Sequence, residues 1–187
     1  MPKKAIRIKI KPADENYDLA ASKFFGTPTI PGEWLSDFDE YTMFFCQIRL
    51  ADIANSDTEN ILPHTGYLYV FLDTYESEFN LVPIVRYYDG EPDTAVDDFN
   101  AEVPEYEQFT EAYLMEFSEG EDYGDGTKLL GIPRSIPEED TEGKMLMQFD
   151  PLDTDMGFLS HLDGFFYLFF GEDERDFSSI TAISDFS

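Results

Sequence analysis

One cysteine, one tryptophan and two histidines among 187 residues leave little material for redox, metal or acid–base chemistry. Lone Cys46 has no internal disulfide partner and sits in the apolar run Phe44-Phe45-Cys46-Gln47-Ile48, where it reads as a small buried hydrophobe. His64 and His161 each lie shortly before the glycine that opens an aromatic run, and read as turn-lining residues. Nucleophile elbow, phosphate loop, CxxC pair and HExxH helix are all missing, so no residue is assigned a catalytic role. No apolar run approaches the ~20 residues of a membrane-spanning helix. Arg7, Lys9 and Lys11 interrupt any signal-peptide core behind Met1-Pro2-Lys3-Lys4, which makes the cytoplasm the expected location.

Positive charge is scarce as well. Twelve lysines and arginines face 40 aspartates and glutamates, for a net charge of −28. Lys3, Lys4, Arg7, Lys9 and Lys11 crowd the N-terminus, and no basic residue occurs from Tyr87 to Thr127. That stretch carries Glu102, Glu105, Glu107, Glu111 and Glu116 among its many carboxylates. Such a field repels nucleic acid and anionic membrane and attracts cations or basic proteins. A solvated, self-repelling surface that keeps the chain soluble is the simpler reading of the same charge.

Aromatic residues are plentiful: 18 Phe and 11 Tyr within a hydrophobic fraction of 42%. A chain of this length can bury about 70% of its unfolded surface, enough for one domain over 1–187. Ala5 to Lys11 alternates isoleucine with basic residues, the period of a half-buried strand. Further strands are expected at Met43–Leu50, Tyr67–Leu72, Leu81–Tyr88, Met145–Phe149, Phe165–Phe170 and Ile180–Ile183. Pro104–Phe117 reads as a helix, with Tyr106, Phe109, Tyr113 and Phe117 near helical spacing. Shorter helical turns are expected in Ala13–Ser22 and Ala51–Asn60. The expected class is therefore α+β, mainly antiparallel β, with one or more short helices.

Within this pattern one motif occurs twice. Lys23-Phe24-Phe25-Gly26-Thr27-Pro28 returns as Lys128-Leu129-Leu130-Gly131-Ile132-Pro133. Each copy is followed by a glutamine in an apolar run, Gln47 and Gln148, and by a glycine opening an aromatic run, Gly66 and Gly164. The duplication defines pseudo-repeats at about 22–73 and 128–170, joined by an acidic segment over 89–127. Glycine before x-Pro permits a backbone angle closed to other residues, and proline stiffens the bend. The lysine is placed to reach loop carbonyls or a carboxylate. An unsatisfied buried amide costs about 1–3 kcal/mol, so each glutamine needs a partner. The adjacent Gly-x-Pro loop is the expected one, and a ligand site between the repeats is the alternative.

These motifs together with Leu62-Pro63-His64-Thr65-Gly66-Tyr67-Leu68 and Asp163-Gly164-Phe165 resemble the YwqG-like family, a bacterial domain of unknown function. The resemblance spans nearly the whole chain after the first strand. Phe25-Gly26 stands where the family pattern has paired glycines, and Met156–His161 lacks its tryptophan. The resemblance implies a duplicated α+β fold without an established enzyme activity, and an association of such acidic domains with immunity roles.

Asp150, Asp153, Asp155 and Asp163 form the carboxylate cluster beside the motif, with Asp150, Asp153 and Asp155 the candidate metal ligands. Calcium takes six to eight oxygen ligands from a flexible loop, and Asp153-Thr154-Asp155-Met156-Gly157 supplies some of them without EF-hand spacing. Two functional expectations follow. The first is a non-enzymatic interaction module, of immunity type, whose acidic face around Glu102, Glu105, Glu107, Glu111 and Glu116 binds a basic protein. The second is a module binding a small molecule or calcium between the repeats.

Overall fold

Ile6 and Ile8 are fully buried and Lys9 is exposed, so the alternation at the N-terminus becomes strand β1, Ala5–Pro12. A computed structural model describes residues 4–73, 75, 82–100, 110–121, 124–134, 143–151, 153 and 165–185. Eleven further strands follow: β2 Lys23–Phe24, β3 Thr29–Ile30, β4 Thr42–Arg49, β5 Tyr67–Asp73, β6 Val82–Tyr88, β7 Thr94–Ala95, β8 Tyr113–Gly120, β9 Lys128–Leu129, β10 Met145–Phe149, β11 Phe165–Phe169 and β12 Thr181–Asp185.

The chain divides into two compact units. The upstream unit is Ile10–Asp52 with Pro63–Met115; the downstream unit is Met1–Lys9, Ile53–Leu62 and Glu116–Ser187. Their boundary falls inside β1 and inside β8, and it does not follow the edges of the pseudo-repeats. In the upstream unit the strand order is β8-β2-β4-β5-β6, with β3 and β7 forming a separate pair. In the downstream unit it is β12-β11-β10-β9-β1-β8. Every described register is antiparallel.

The expected α+β class is corrected to nearly all-β. Among the described residues the helical elements are 3-10 turns, at Gly32–Asp37, Leu50–Ile53 and Phe177–Ser179 and at the single residue Thr110. Tyr113 to Phe117, the end of the expected helix, is strand, and Thr110 ahead of it is 3-10; its first part over 104–109 lies outside the described residues. Tyr113 and Phe117, four residues apart, satisfy a period of two as well as a helical one. Pairing decides between them: Tyr113 sits opposite Phe24, and Leu114 opposite Lys23. Ala13–Ser22 forms turns instead of helix, because Asp14 and Asp18 each accept the N–H two residues on, from Asn16 and Ala20. In Ala51–Asn60 the 3-10 turn is likewise succeeded by turns.

Each unit builds its core on an aromatic ladder. Tyr67, Tyr69 and Phe71 stack along β5 with centroids 6.1 Å apart, over Ile30 and Phe44. Trp34 packs edge-on against Tyr69 and Tyr88. Phe165, Tyr167 and Phe169 stack likewise along β11, at 6.1 and 6.3 Å, beside Met145. Near β4 a side chain supplies the hydrogen bonding that a strand would. Phe44 N–H donates to Asn100 Oδ1 at 2.9 Å, and Asn100 Nδ2 donates to the Phe44 carbonyl at 3.1 Å. No helix among the described residues is long and apolar enough to cross a membrane.

Candidate functional site

The duplicated motif folds into the same local frame in both copies. Lys23 sits opposite Gln47 across β2 and β4, and Lys128 opposite Gln148 across β9 and β10. On the other side of the glutamine strand, Gln47 faces Tyr69 and Gln148 faces Tyr167. Both glutamine strands break register two residues before the glutamine, at Phe45 and Leu146, as a β-bulge does. The carbonyls of those two residues accept from Phe25 N–H at 3.0 Å and Leu130 N–H at 2.9 Å.

Phe25 and Leu130 have φ of 52° and 58°, and the following Gly26 and Gly131 have 74° and 81°. Left-handed backbone costs a non-glycine residue about 1–2 kcal/mol, offset here by burial of both side chains. Gly26 is further constrained, since a Cβ there would lie 2.6 Å from Ala112 Cβ.

The glutamines satisfy the loops beside them. Gln47 Oε1 accepts from Thr29 N–H just after Pro28, and Nε2 donates to the Leu19 and Ala21 carbonyls, each at 3.0 Å. Gln148 Oε1 accepts from Arg134 N–H just after Pro133 at 2.9 Å, and Nε2 donates to the Gly126 carbonyl at 2.8 Å. Both lysines are buried and turned onto carbonyls. Lys23 Nζ donates to Leu19, and Lys128 Nζ to Gly124 and Ile132 at 2.8 Å. Burial pushes the Lys23 ammonium down to about 7, with Asp18 opposing the shift and Arg49 reinforcing it. A hydroxyl before each lysine completes the frame. Ser22 Oγ accepts Arg49 N–H at 2.9 Å, and Thr127 Oγ1 accepts Asp150 N–H at 3.1 Å. The hydroxyls, the bulges and the left-handed residues escaped the sequence reading, although Ser22 and Thr127 precede the lysine in both copies.

The cation candidates serve the second loop. Asp150 Oδ2 accepts Gly126 N–H at 2.9 Å and lies 3.7 Å from Arg134 Nη1. Asp153 accepts Thr127 N–H at 2.9 Å and Arg7 Nη2 at 2.9 and 3.0 Å. Asp155 and Asp163 lie outside the described residues. Among the described residues, no group of three or more His, Cys, Asp or Glu is placed to hold a metal ion. His64 is half-buried, and His161 and Gly164 lie outside the described residues. Gly66 opens β5 and accepts Leu50 N–H through its carbonyl at 3.0 Å. Cys46 is buried, which pushes its thiol up and away from reactivity.

Of the acidic candidates, Glu111 is exposed beside Tyr113, whose hydroxyl donates to its Oε2 at 3.4 Å, and Glu116 is exposed on β8. Glu102, Glu105 and Glu107 lie outside the described residues. A groove of about 420 Å³ in the downstream unit is lined by Arg7, Lys9, Lys128, Glu119, Glu121 and Asp125. Three cations and three carboxylates balance within it, and Ser118 adds a hydroxyl.

The chain matches no model of a known protein family, and a search of curated proteins finds no similar one.

Proposed function

We propose that this protein is a non-enzymatic interaction module whose acidic surface engages a basic protein. One observation carries the reading: the described cations are largely taken up internally. Arg7, Arg49, Arg86, Arg134 and Lys144 each pair with a carboxylate. Lys23 and Lys128 are buried on backbone carbonyls. Each such pair cancels one charge of each sign, so the whole net charge of −28 remains as excess carboxylate. A field of this kind steers an oppositely charged protein and weakens as salt screens it. An immunity role, suggested by the resemblance of the motifs to YwqG-like proteins, is one form such binding takes.

The test is affinity capture from native lysate at about 0.05 M and about 0.5 M salt, with poly-lysine measured as the unspecific control. A basic protein should be retained at low salt, bind more tightly than poly-lysine, and weaken when Glu102, Glu105, Glu107, Glu111 and Glu116 become glutamine. Recovery of no basic protein, or binding indifferent to those charges, refutes the reading.

A further inference from the structure

The outer strands of the two units differ in how their edges are guarded. In the upstream unit β6 carries Pro83 and Arg86, a missing N–H donor and a charge of the kind that deters another strand. In the downstream unit β12 has neither: Thr181, Ala182, Ile183 and Ser184 include no charge and no proline, and the strand shows no bulge. Among the described residues β12 pairs with β11 alone, in an unbroken register from Phe165–Asp185 to Phe169–Thr181. Among those residues, no strand meets the backbone donors and acceptors on its other side.

The side chains of this edge suit a further strand. Thr181 and Ile183 are exposed, Ile183 by 36%. They stand opposite Phe169 and Tyr167, so the stacked rings of β11 continue outward onto β12 as a row on one face. A strand laid beside β12 extends that row with an apolar side chain next to Ile183.

Charge selects the kind of strand. The connection from β11 to β12 carries Glu172, Asp173, Glu174 and Asp176 against Arg175. Glu172, Asp173 and Asp176 are exposed, and Glu174 pairs with Lys144 at 2.6 Å. A segment entering at the Thr181 end meets these carboxylates, which favours lysine or arginine beside its apolar residues. The chain holds a segment of this kind in its own sheet. There β1 alternates Ile6, Ile8 and Ile10 with Arg7, Lys9 and Lys11, and lies beside β8 with its Glu116 and Glu119.

We infer that β12 is the edge on which the basic partner adds an extended segment as a further strand, its apolar residues beside Ile183 and its cations toward the carboxylates over 172–176. This contact rests on the proposed function and gives it a backbone component in the downstream unit. Strand addition draws affinity from main-chain hydrogen bonds and selectivity from alternate side chains.

The test titrates the whole chain with acetyl-Lys-Ile-Lys-Ile-Lys-amide and with acetyl-Lys-Pro-Lys-Pro-Lys-amide, which has the same charge and lacks the ladder donors. Amide hydrogen exchange over 181–185 should slow saturably with the Ile peptide, and the Pro peptide should bind at least about tenfold more weakly. Ile183→Lys, which gives the edge the guard it lacks, should abolish the response at unchanged melting temperature. Equal binding of the two peptides, or exchange over 181–185 that neither slows, overturns the edge and leaves the acidic-surface reading standing. So does a chain that is dimeric in sedimentation and protects 181–185 as its own concentration rises, because a second copy then fills the edge. Absence of any charge-dependent partner removes both.

Discussion

The two copies of the lysine–glutamine frame differ most at one position. Two residues after the glutamine stands Arg49 in the first copy and Asp150 in the second. Both backbones donate to the hydroxyl that precedes the lysine, so the local geometry is common while the side-chain charge is inverted. Around the first copy the buried support is neutral, an amide shared among Thr29, Leu19 and Ala21, and the Arg49–Asp18 pair is left at the surface. Around the second copy, buried Asp150 and Asp153 hold the loop and engage Arg134 and Arg7. A duplicated backbone can therefore be kept by hydrogen bonds alone, leaving each copy's electrostatics free to diverge.

The largest test of that contrast removes the amides. Gln47→Leu strands the Thr29 N–H and the Ala21 carbonyl, since the Leu19 carbonyl keeps Lys23 Nζ, and Gln148→Leu strands the Arg134 N–H and the Gly126 carbonyl, so each should cost about 2 kcal/mol. Equal losses in urea denaturation would show that the two latches are equivalent. Asp153→Asn probes the ionic support of the second copy. Breaking a half-buried pair should cost about 2 kcal/mol, and the stability of the variant should depend less on salt than that of the parent.

Lys23 supplies a pH signature. Its proton is lost near 7 in the folded chain and near 10.5 in the unfolded one. The unfolded state thus binds more protons between those values, so stability from this group rises with pH there, by up to about 1.4 kcal/mol per unit. Below 7 both states are protonated and the penalty is constant. Denaturation of the parent and of Lys23→Met between pH 7 and about 9 should differ in slope by this amount; parallel profiles would place Lys23 outside the titrating set. The smallest effect belongs to Tyr69. Its hydroxyl is buried with no hydrogen-bond partner among the described residues. Tyr69→Phe should then stabilise by about 1 kcal/mol, and a loss would reveal an acceptor contributed from elsewhere.

Strands with strong local periodicity were legible from residues alone. Met145–Phe149 needed no adjustment, and β1, β4, β5, β6, β11 and β12 moved by only a residue or two at their ends. Lys23–Phe24 and Lys128–Leu129 were invisible as strands, because two residues carry no period and their pairing is wholly non-local. Tyr113–Phe117 failed for a different reason: it fits both periods, and only its partner β2 breaks the tie. Gln47 and Gln148 were legible as polar groups in need of partners, since an amide amid Phe, Cys and Met has few other outlets.

The Asn100 clip has a consequence for how the molecule ages. Asparagine amides are among the chemically labile groups of a protein, and hydrolysis here would turn Nδ2, the donor to the Phe44 carbonyl, into a carboxylate oxygen facing that carbonyl. A peptide ladder has no bond so exposed to a single slow reaction. Asn100 lies within the acidic segment over 89–127, so one deamidated side chain would loosen the hold of Asn100 on β4 while leaving every described strand pairing intact. Mass spectrometry of stored protein, read beside its melting temperature, would reveal whether that lesion sets the working lifetime of a sample.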